Sequence, residues 1–187
     1  DHGARRAFAA PPCTMTLPTD AELAPILDGL QLSRDLVVEA RWLDWSGTPA
    51  LGPLPGAVTG SGRPSDGAWV ALMLPGAAEV LAVRPLRGAL EKVAKVGLFG
   101  KYPPGSEFDF EVRGLVEPIG VPEDPVTGSL NAGLARWLIT EGFAPKRYVA
   151  RQGTVLNRAG QVFVEQVGET FWIGGDSVTC ITGQVLL

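Results

Sequence analysis

The sequence predicts an α+β fold: a curled, mostly antiparallel sheet wrapped around one buried helix. Three observations carry this expectation. Over about 129–141, Leu130, Ala132, Leu134, Ala135, Trp137, Leu138 and Ile139 lie most of the way round a helix, which marks it as enclosed by other structure. After it come only strand-like segments, at about 147–152, 161–166, 170–174 and 178–187, joined by Gly-containing turns. The 24 Gly and 16 Pro point the same way, towards many short elements linked by tight turns. A buried helix followed by a run of strands is not the βαβ alternation of a doubly wound fold.

The elements follow in chain order. Thr19-Asp20-Ala21-Glu22 is a capping box, and Leu23, Ile26, Leu27 and Leu30 behind it recur at helical spacing, so a helix is expected over about 20–30. Leu36 to Trp45 reads as a strand rich in Val, Leu and Trp. From Ser46 to Gly67 the apolar period stops and Gly, Pro and Ser dominate, so 46–67 is expected as a surface loop or insertion. Ala68 to Leu74 is an apolar run fit for a strand buried on both faces. Helical pieces at Ala77–Val83 and Leu86–Val93 come next, separated by Pro85, and strands at about 94–99 and 107–113 follow.

With 187 residues, 45% hydrophobic and 19% charged, the chain can bury a sizeable core. A net charge of −4 with scattered Lys and Arg excludes a nucleic-acid surface, which needs clustered cations to displace counterions from phosphates. The longest apolar runs are too short to cross a bilayer. Cys13 and Cys180, near opposite ends, make no disulfide framework, and a reduced cytoplasmic protein is expected. The only histidine, His2, leaves no metal-ligand spacing, so no metal is expected.

Chemistry concentrates in Glu123-Asp124-Pro125-Val126-Thr127-Gly128-Ser129, at the mouth of the buried helix. The residues before Pro122 and Pro125 are biased to extended or turn conformations. Gly128 permits close backbone approach, and the first free N–H groups of a helix favour a carboxylate or a developing oxyanion. Asp124, just upstream, is the candidate catalytic group, an acid or base beside those donors. Thr127, Gly128 and Ser129 are the candidate substrate-binding residues. The same residues also read as an ordinary well-capped helix. Other sites are excluded: Gly128-Ser129 has no nucleophile-elbow context, and Gly60-Ser61-Gly62 lacks the third glycine of a dinucleotide site.

The order of several segments is more specific. Arg113, then Gly120-Val121-Pro122-Glu123-Asp124-Pro125-Val126-Thr127-Gly128-Ser129, resembles the hallmark stretch of the PhzF-like (phenazine biosynthesis) isomerase family. Gln152-Gly153 with Arg158-Ala159-Gly160 resembles that family's next turn. Ile173-Gly174-Gly175 and Gly183-Gln184-Val185-Leu186-Leu187 resemble its last two strands. The likeness runs from about residue 7 to the end and matches the C-terminal part of a family member.

This resemblance implies a diaminopimelate-epimerase-like fold of two similar halves, each a curled sheet around a central helix, with the active site in the cleft between them. It implies a cofactor-independent isomerase or epimerase acting by proton transfer on a small carboxylate-bearing metabolite. Phenazine-pathway members move a proton on a dihydro-hydroxyanthranilate. By the same resemblance Asp124 is the active-site aspartate of this half, and Gly128 and Ser129 hold the substrate carboxylate through backbone N–H groups, with the Ser129 hydroxyl assisting. The family's principal acid/base is a glutamate of the N-terminal half, helped by a histidine there, and no position here matches either. The chain is therefore expected to be mainly the C-terminal half of a two-half protein, holding half of an active site. The initial Asp in place of Met suits removal of the other half, and a homo-oligomer or a separate companion chain are the alternatives. A different class of reading is a catalytically inactive module that binds small acids or dimerises.

Overall fold

The computed structural model describes residues 4–45 and 67–184. His2, residues 46–66 of the expected 46–67 loop and the last three residues lie outside the described residues. The chain opens with two short strands that the apolar pattern does not mark, β1 (Ala4–Ala9) and β2 (Thr14–Thr16). Helix α1 (Asp20–Leu30) follows where the capping box places it. Glu22 donates its N–H to Thr19 Oγ1 at 3.3 Å, and the Thr19 N–H donates back to Glu22 Oε2 at 2.8 Å. Its buried face is Leu23, Ile26, Leu27 and Leu30, as the spacing requires.

Strand β3 (Glu39–Asp44) starts later than expected, because residues 34–36 close into a 3₁₀ turn. The apolar run gives β4 (Trp69–Met73), buried along nearly its whole length. Helix α2 (Ala77–Ala82) forms, but the second helical piece expected at 86–93 is a series of turns. Gly88 takes φ +78° there, and such a residue interrupts a right-handed helix. Strands β5 (Lys95–Lys101) and β6 (Phe110–Leu115) then lead to a two-residue strand, β7 (Glu123–Asp124). Helix α3 (Gly128–Thr140) is followed by β8 (Arg147–Gln152), β9 (Gly160–Val167) and β10 (Thr170–Ser177). Residues 178–184 form no strand, contrary to expectation. β10 is already hydrogen-bonded along both edges, by β1 and β9, and Ile181 stands almost fully exposed with nothing to pack on.

The ten strands among the described residues join one mixed sheet in the order β1-β10-β9-β8-β6-β5-β4-β3-β2, with β7 added on β6. Only β4–β5 and β6–β8 are parallel. Parallel neighbours need a crossover, and α2 and α3 serve as the two crossovers. Laid flat, nine strands would set the two edges about 38 Å apart at the usual strand spacing. Yet those edges, β1 and β2, are consecutive in sequence, and the link from Ala9 to Thr14 reaches at most about 18 Å. The sheet must therefore curve until its edges approach, although no ladder among the described residues closes it.

Alternation along the strands divides the core in two. Leu43, Trp69, Ala71, Phe99, Phe110, Val112, Tyr148, Ala150, Val164 and Ile173 share one cluster with the α3 residues Leu130, Leu134, Trp137 and Leu138. On the other face Trp42, Val70, Leu72, Val96, Leu98 and Leu115 cover α1 and α2. Gly97 and Gly133 let α3 seat closely, since a Cβ at either would meet Leu130 or Leu43 at 2.4 Å and 2.7 Å. The apolar pattern of α3 thus has a direct counterpart: its residues Leu130 to Ala135 are all buried.

Candidate functional site

The mouth of α3 is built by three elements that converge at the C-terminal ends of β6 and β8. β7 pairs with β6 so that Asp124 stands opposite Gly114, and β8 ends at Gln152. Because successive strand residues face opposite ways, the two carboxylates of β7 go to opposite sides.

Glu123 turns towards α2. Its Oε1 and Oε2 accept from Arg113 Nε and Nη2 at 3.1 Å and 2.8 Å, a bidentate pair. The remaining Arg113 terminal nitrogen donates to the Val80 and Val83 carbonyls at 3.2 Å and 2.8 Å, capping the end of α2. Both side chains are buried, so the pair locks β7 to β6 and α2. A recess of about 270 Å³ lies beside this pair, lined by Pro85, Leu90, Leu115 and Pro122 among others, and not around Asp124.

Asp124 turns towards α3 and is only partly buried. Its Oδ2 accepts from Thr127 Oγ1 at 2.8 Å, and no hydrogen bond joins Oδ1 to another described residue. Thr127 is itself held from behind by the fully buried Gln152. Gln152 Nε2 donates to Thr127 Oγ1 at 2.9 Å and to the Asp124 carbonyl at 3.0 Å. Its Oε1 accepts the Thr127 N–H at 3.1 Å and Asn131 Nδ2 at 2.8 Å. Asn131 Nδ2 also donates to the Thr127 carbonyl at 2.8 Å. Gly114 makes room for this network, because a Cβ there would meet Thr127 Oγ1 at 2.7 Å and Gln152 Nε2 at 3.2 Å.

Beyond Thr127 the helix opens without a side-chain cap and without an acidic residue in its first turn. The N–H groups of Gly128, Ser129 and Leu130 have no hydrogen-bond partner among the described residues. Ser129 is exposed, and its Oγ accepts from Trp69 Nε1 at 3.2 Å. An indole N–H only donates, so the Ser129 hydroxyl proton stays available to another acceptor. Phe8 of β1 stands over Gly128, and any Cβ at 128 would meet its ring at 3.2 Å. The arrangement offers an anion two kinds of donor, backbone N–H and one hydroxyl, at the positive end of a helix dipole.

The structure therefore brings Asp124, Thr127, Gly128 and Ser129 to one place. Sequence reasoning on its own misses the two groups behind them, Gln152 and Asn131. A signal existed for the first: in Arg147–Gln152 the core-facing positions are Tyr148, Ala150 and Gln152, and a polar residue in an inward register needs partners. Asn131 lies one helical turn from Thr127 on a helix otherwise apolar at that depth.

Away from this mouth, Glu111 and Cys13 are among the groups with shifted proton affinity. Glu111 is fully buried on β6, and burial raises its carboxyl, against the opposing pull of the Tyr102 hydroxyl that donates to it at 2.6 Å. Burial pushes the Cys13 thiol up to about 11, which leaves it protonated and a poor nucleophile. Cys13 and Cys180 are both free. Among the described residues no helix is long and apolar enough to cross a membrane, and no group of acidic, Cys or His side chains gathers as a metal site.

Solved structures share this fold at low sequence identity. A phenazine biosynthesis PhzC/PhzF protein from Clostridium difficile aligns over 98% of this chain and 57% of its own, at 20% identity and a TM-score of 0.61. A PhzF-family protein from Bacillus anthracis aligns over 93% of this chain and 58% of its own, at 12% identity and a TM-score of 0.67. A protein from Pseudomonas aeruginosa described as a predicted epimerase aligns over 94% and 56%, at 22% identity and a TM-score of 0.61. The chain thus spans little more than half the length of each. No curated protein matches it in sequence. The family model for phenazine biosynthesis-like proteins (PhzC-PhzF) matches residues 25–183, which includes β7, the α3 mouth and Gln152. With most of its length matched, the chain belongs to the phenazine biosynthesis-like PhzC-PhzF family.

Proposed function

We propose that this chain supplies one half of the active site of a cofactor-independent isomerase or epimerase that moves a proton on a small carboxylate-bearing metabolite. One observation carries the reading. Among the described residues, Asp124 keeps one carboxylate oxygen without a hydrogen-bond partner beside a helix start whose first N–H groups also lack one. The N–H groups of Gly128 and Ser129 grip the substrate carboxylate, the Ser129 hydroxyl adds a donor, and Asp124 exchanges the proton. The Pseudomonas aeruginosa neighbour described as an epimerase supports the reaction class.

The same reading gives α3 the role of the central helix of a diaminopimelate-epimerase-like half, with the curved sheet wrapped around it. The coverage of 56–58% of each neighbour supports a companion half, in the same protein or a second copy, that closes the open mouth and brings the glutamate expected from the family resemblance. Exposed apolar side chains around that mouth, Phe8, Val121 and Val126, suit such a contact. A reduced cytoplasmic setting completes the proposal.

The test is Asp124→Asn in the protein carrying both halves, assayed on a dihydro-hydroxyanthranilate. Turnover is expected to fall at least about 100-fold, the usual contribution of a positioned acid or base. Unchanged turnover removes Asp124 from the chemistry.

A further inference from the structure

We infer that Gln152 is a positioning residue that fixes the direction of a hydrogen-bond relay and so commits Asp124 to present Oδ1, not Oδ2, to the substrate. The inference deepens the proposed function and rests on it for the meaning of "substrate". The relay itself stands on geometry alone.

Its direction follows from which atoms can only donate or only accept. A backbone carbonyl only accepts, so the atom of Asn131 that lies 2.8 Å from the Thr127 carbonyl must be the amide nitrogen. That nitrogen and the Thr127 N–H both donate, so the Gln152 atom facing them must be its oxygen, at 2.8 Å and 3.1 Å. The other end of Gln152 is therefore its nitrogen, which the Asp124 carbonyl at 3.0 Å independently requires. That nitrogen donates to Thr127 Oγ1, so the threonine hydroxyl directs its own proton to Asp124 Oδ2 at 2.8 Å. Four side chains and three backbone groups thus admit one arrangement of protons around the Asp124 carboxylate.

The consequence is asymmetry in Asp124. Oδ2 permanently accepts a hydrogen bond from a group that cannot turn round without leaving Gln152 Nε2 against a second donor. Oδ2 is thus engaged by the Thr127 hydroxyl, whereas Oδ1 has no hydrogen-bond partner among the described residues. The relay also holds the carboxylate plane, since Oδ2 is tied to the helix start through Thr127 and to β8 through Gln152. Thr127, at 6% exposure and with its hydroxyl doubly engaged, acts through Asp124 and not as a direct contact to the carboxylate of a ligand.

Two measurements test this, the first of them independently of the proposed function. In the isotope-labelled chain, NMR should detect the Thr127 hydroxyl proton, slowed in exchange and close to the Gln152 amide protons. Gln152→Glu, which replaces the donor by an acceptor of equal shape, should turn that proton away from Asp124 and abolish the contact. A Thr127 hydroxyl that exchanges freely in the wild-type chain overturns the relay, as does one indifferent to Gln152→Glu. In the protein carrying both halves, Thr127→Val should lower kcat on a dihydro-hydroxyanthranilate by about 100-fold, the scale of a misplaced catalytic group. KM should stay within about twofold, the pattern of an interaction realised only in the transition state. Thr127→Ser, which keeps the hydroxyl, should restore the rate. Equal losses in Thr127→Val and Thr127→Ser, or a change in KM alone, overturn the positioning role. Should Gln152→Glu not fold, the two threonine variants decide the matter. A wild-type protein inactive on this acid sinks the substrate of the proposed function and leaves the NMR result to decide the relay.

Discussion

Glu123 and Asp124 are neighbours in a strand two residues long, and they meet opposite fates. Glu123 is buried, held at both oxygens by Nε and Nη2 of Arg113, and that guanidinium also closes the last turn of α2 through Nη1. Asp124 faces the other way, is tied by one oxygen only, and leaves the second at an open helix start. The first carboxylate is spent on structure: every contact it makes holds β7, β6 and α2 together. The second is held still by groups behind it while its front remains unsatisfied. The pair shows how a fold positions a reactive group, with the rigid neighbour fixing the strand on which the free one sits.

The largest expected effect breaks the structural member. Arg113→Met leaves Glu123 buried without its cation and strips the α2 carbonyls of their donor. Removing one partner of a buried ion pair costs about 3–5 kcal/mol, so thermal unfolding should fall steeply. Asp124→Asn, by contrast, keeps an acceptor for Thr127 and should move stability by no more than about 1 kcal/mol, as for a single hydrogen bond. Similar losses in both variants, read by chemical denaturation, would erase the distinction between the two carboxylates.

A smaller effect sharpens the comparison from the Asp124 side. Gly114→Ala would drive a methyl into Thr127 Oγ1 and Gln152 Nε2, on the Asp124 side of the comparison. Overpacking of this kind costs about 1–3 kcal/mol. Denaturation should register that loss, and the Thr127 and Gln152 side-chain signals should be the ones that move. A neutral Gly114→Ala would mean that the network yields readily and positions little.

The smallest effect concerns a third carboxylate on the same β6 strand. Burial raises the Glu111 carboxyl, so the folded state holds its proton more tightly than the unfolded chain. Its contribution to stability is complete below the unfolded value and is lost as pH rises through the folded one. Glu111→Gln, permanently neutral, should therefore gain stability relative to wild type as pH rises from about 4 towards neutrality, the range above an unperturbed carboxyl. Melting temperatures that differ by a constant amount across that range would contradict it.

Much of this architecture is legible in the chain because it rests on local rules. The capping box at Thr19 and Glu22 starts α1 where expected, and the all-round apolar pattern of 129–141 marks a helix that is indeed buried. What fails is what local rules do not contain. β1 and β2 are short and mostly exposed, and only pairing with β10 and β3 makes them strands. Leu86–Val93 has helical spacing, yet Gly88 leaves the right-handed region and the segment folds as turns. At the candidate site, Asp124 and the Thr127–Ser129 helix start stand out through Pro, Gly and capping chemistry. Gln152 and Asn131 do not, because their role comes from a contact between β8 and α3 that sequence separation hides.

The proposed carboxylate grip lies at the start of α3, beside the Asp124 oxygen that has no hydrogen-bond partner among the described residues. Titration of the labelled chain with anthranilate, followed by amide NMR, tests it most directly. Saturable shifts should centre on the N–H groups of Gly128, Ser129 and Leu130 and weaken when Ser129 is replaced by Ala. Absence of shifts at these three amides, with binding elsewhere on the chain, would contradict it.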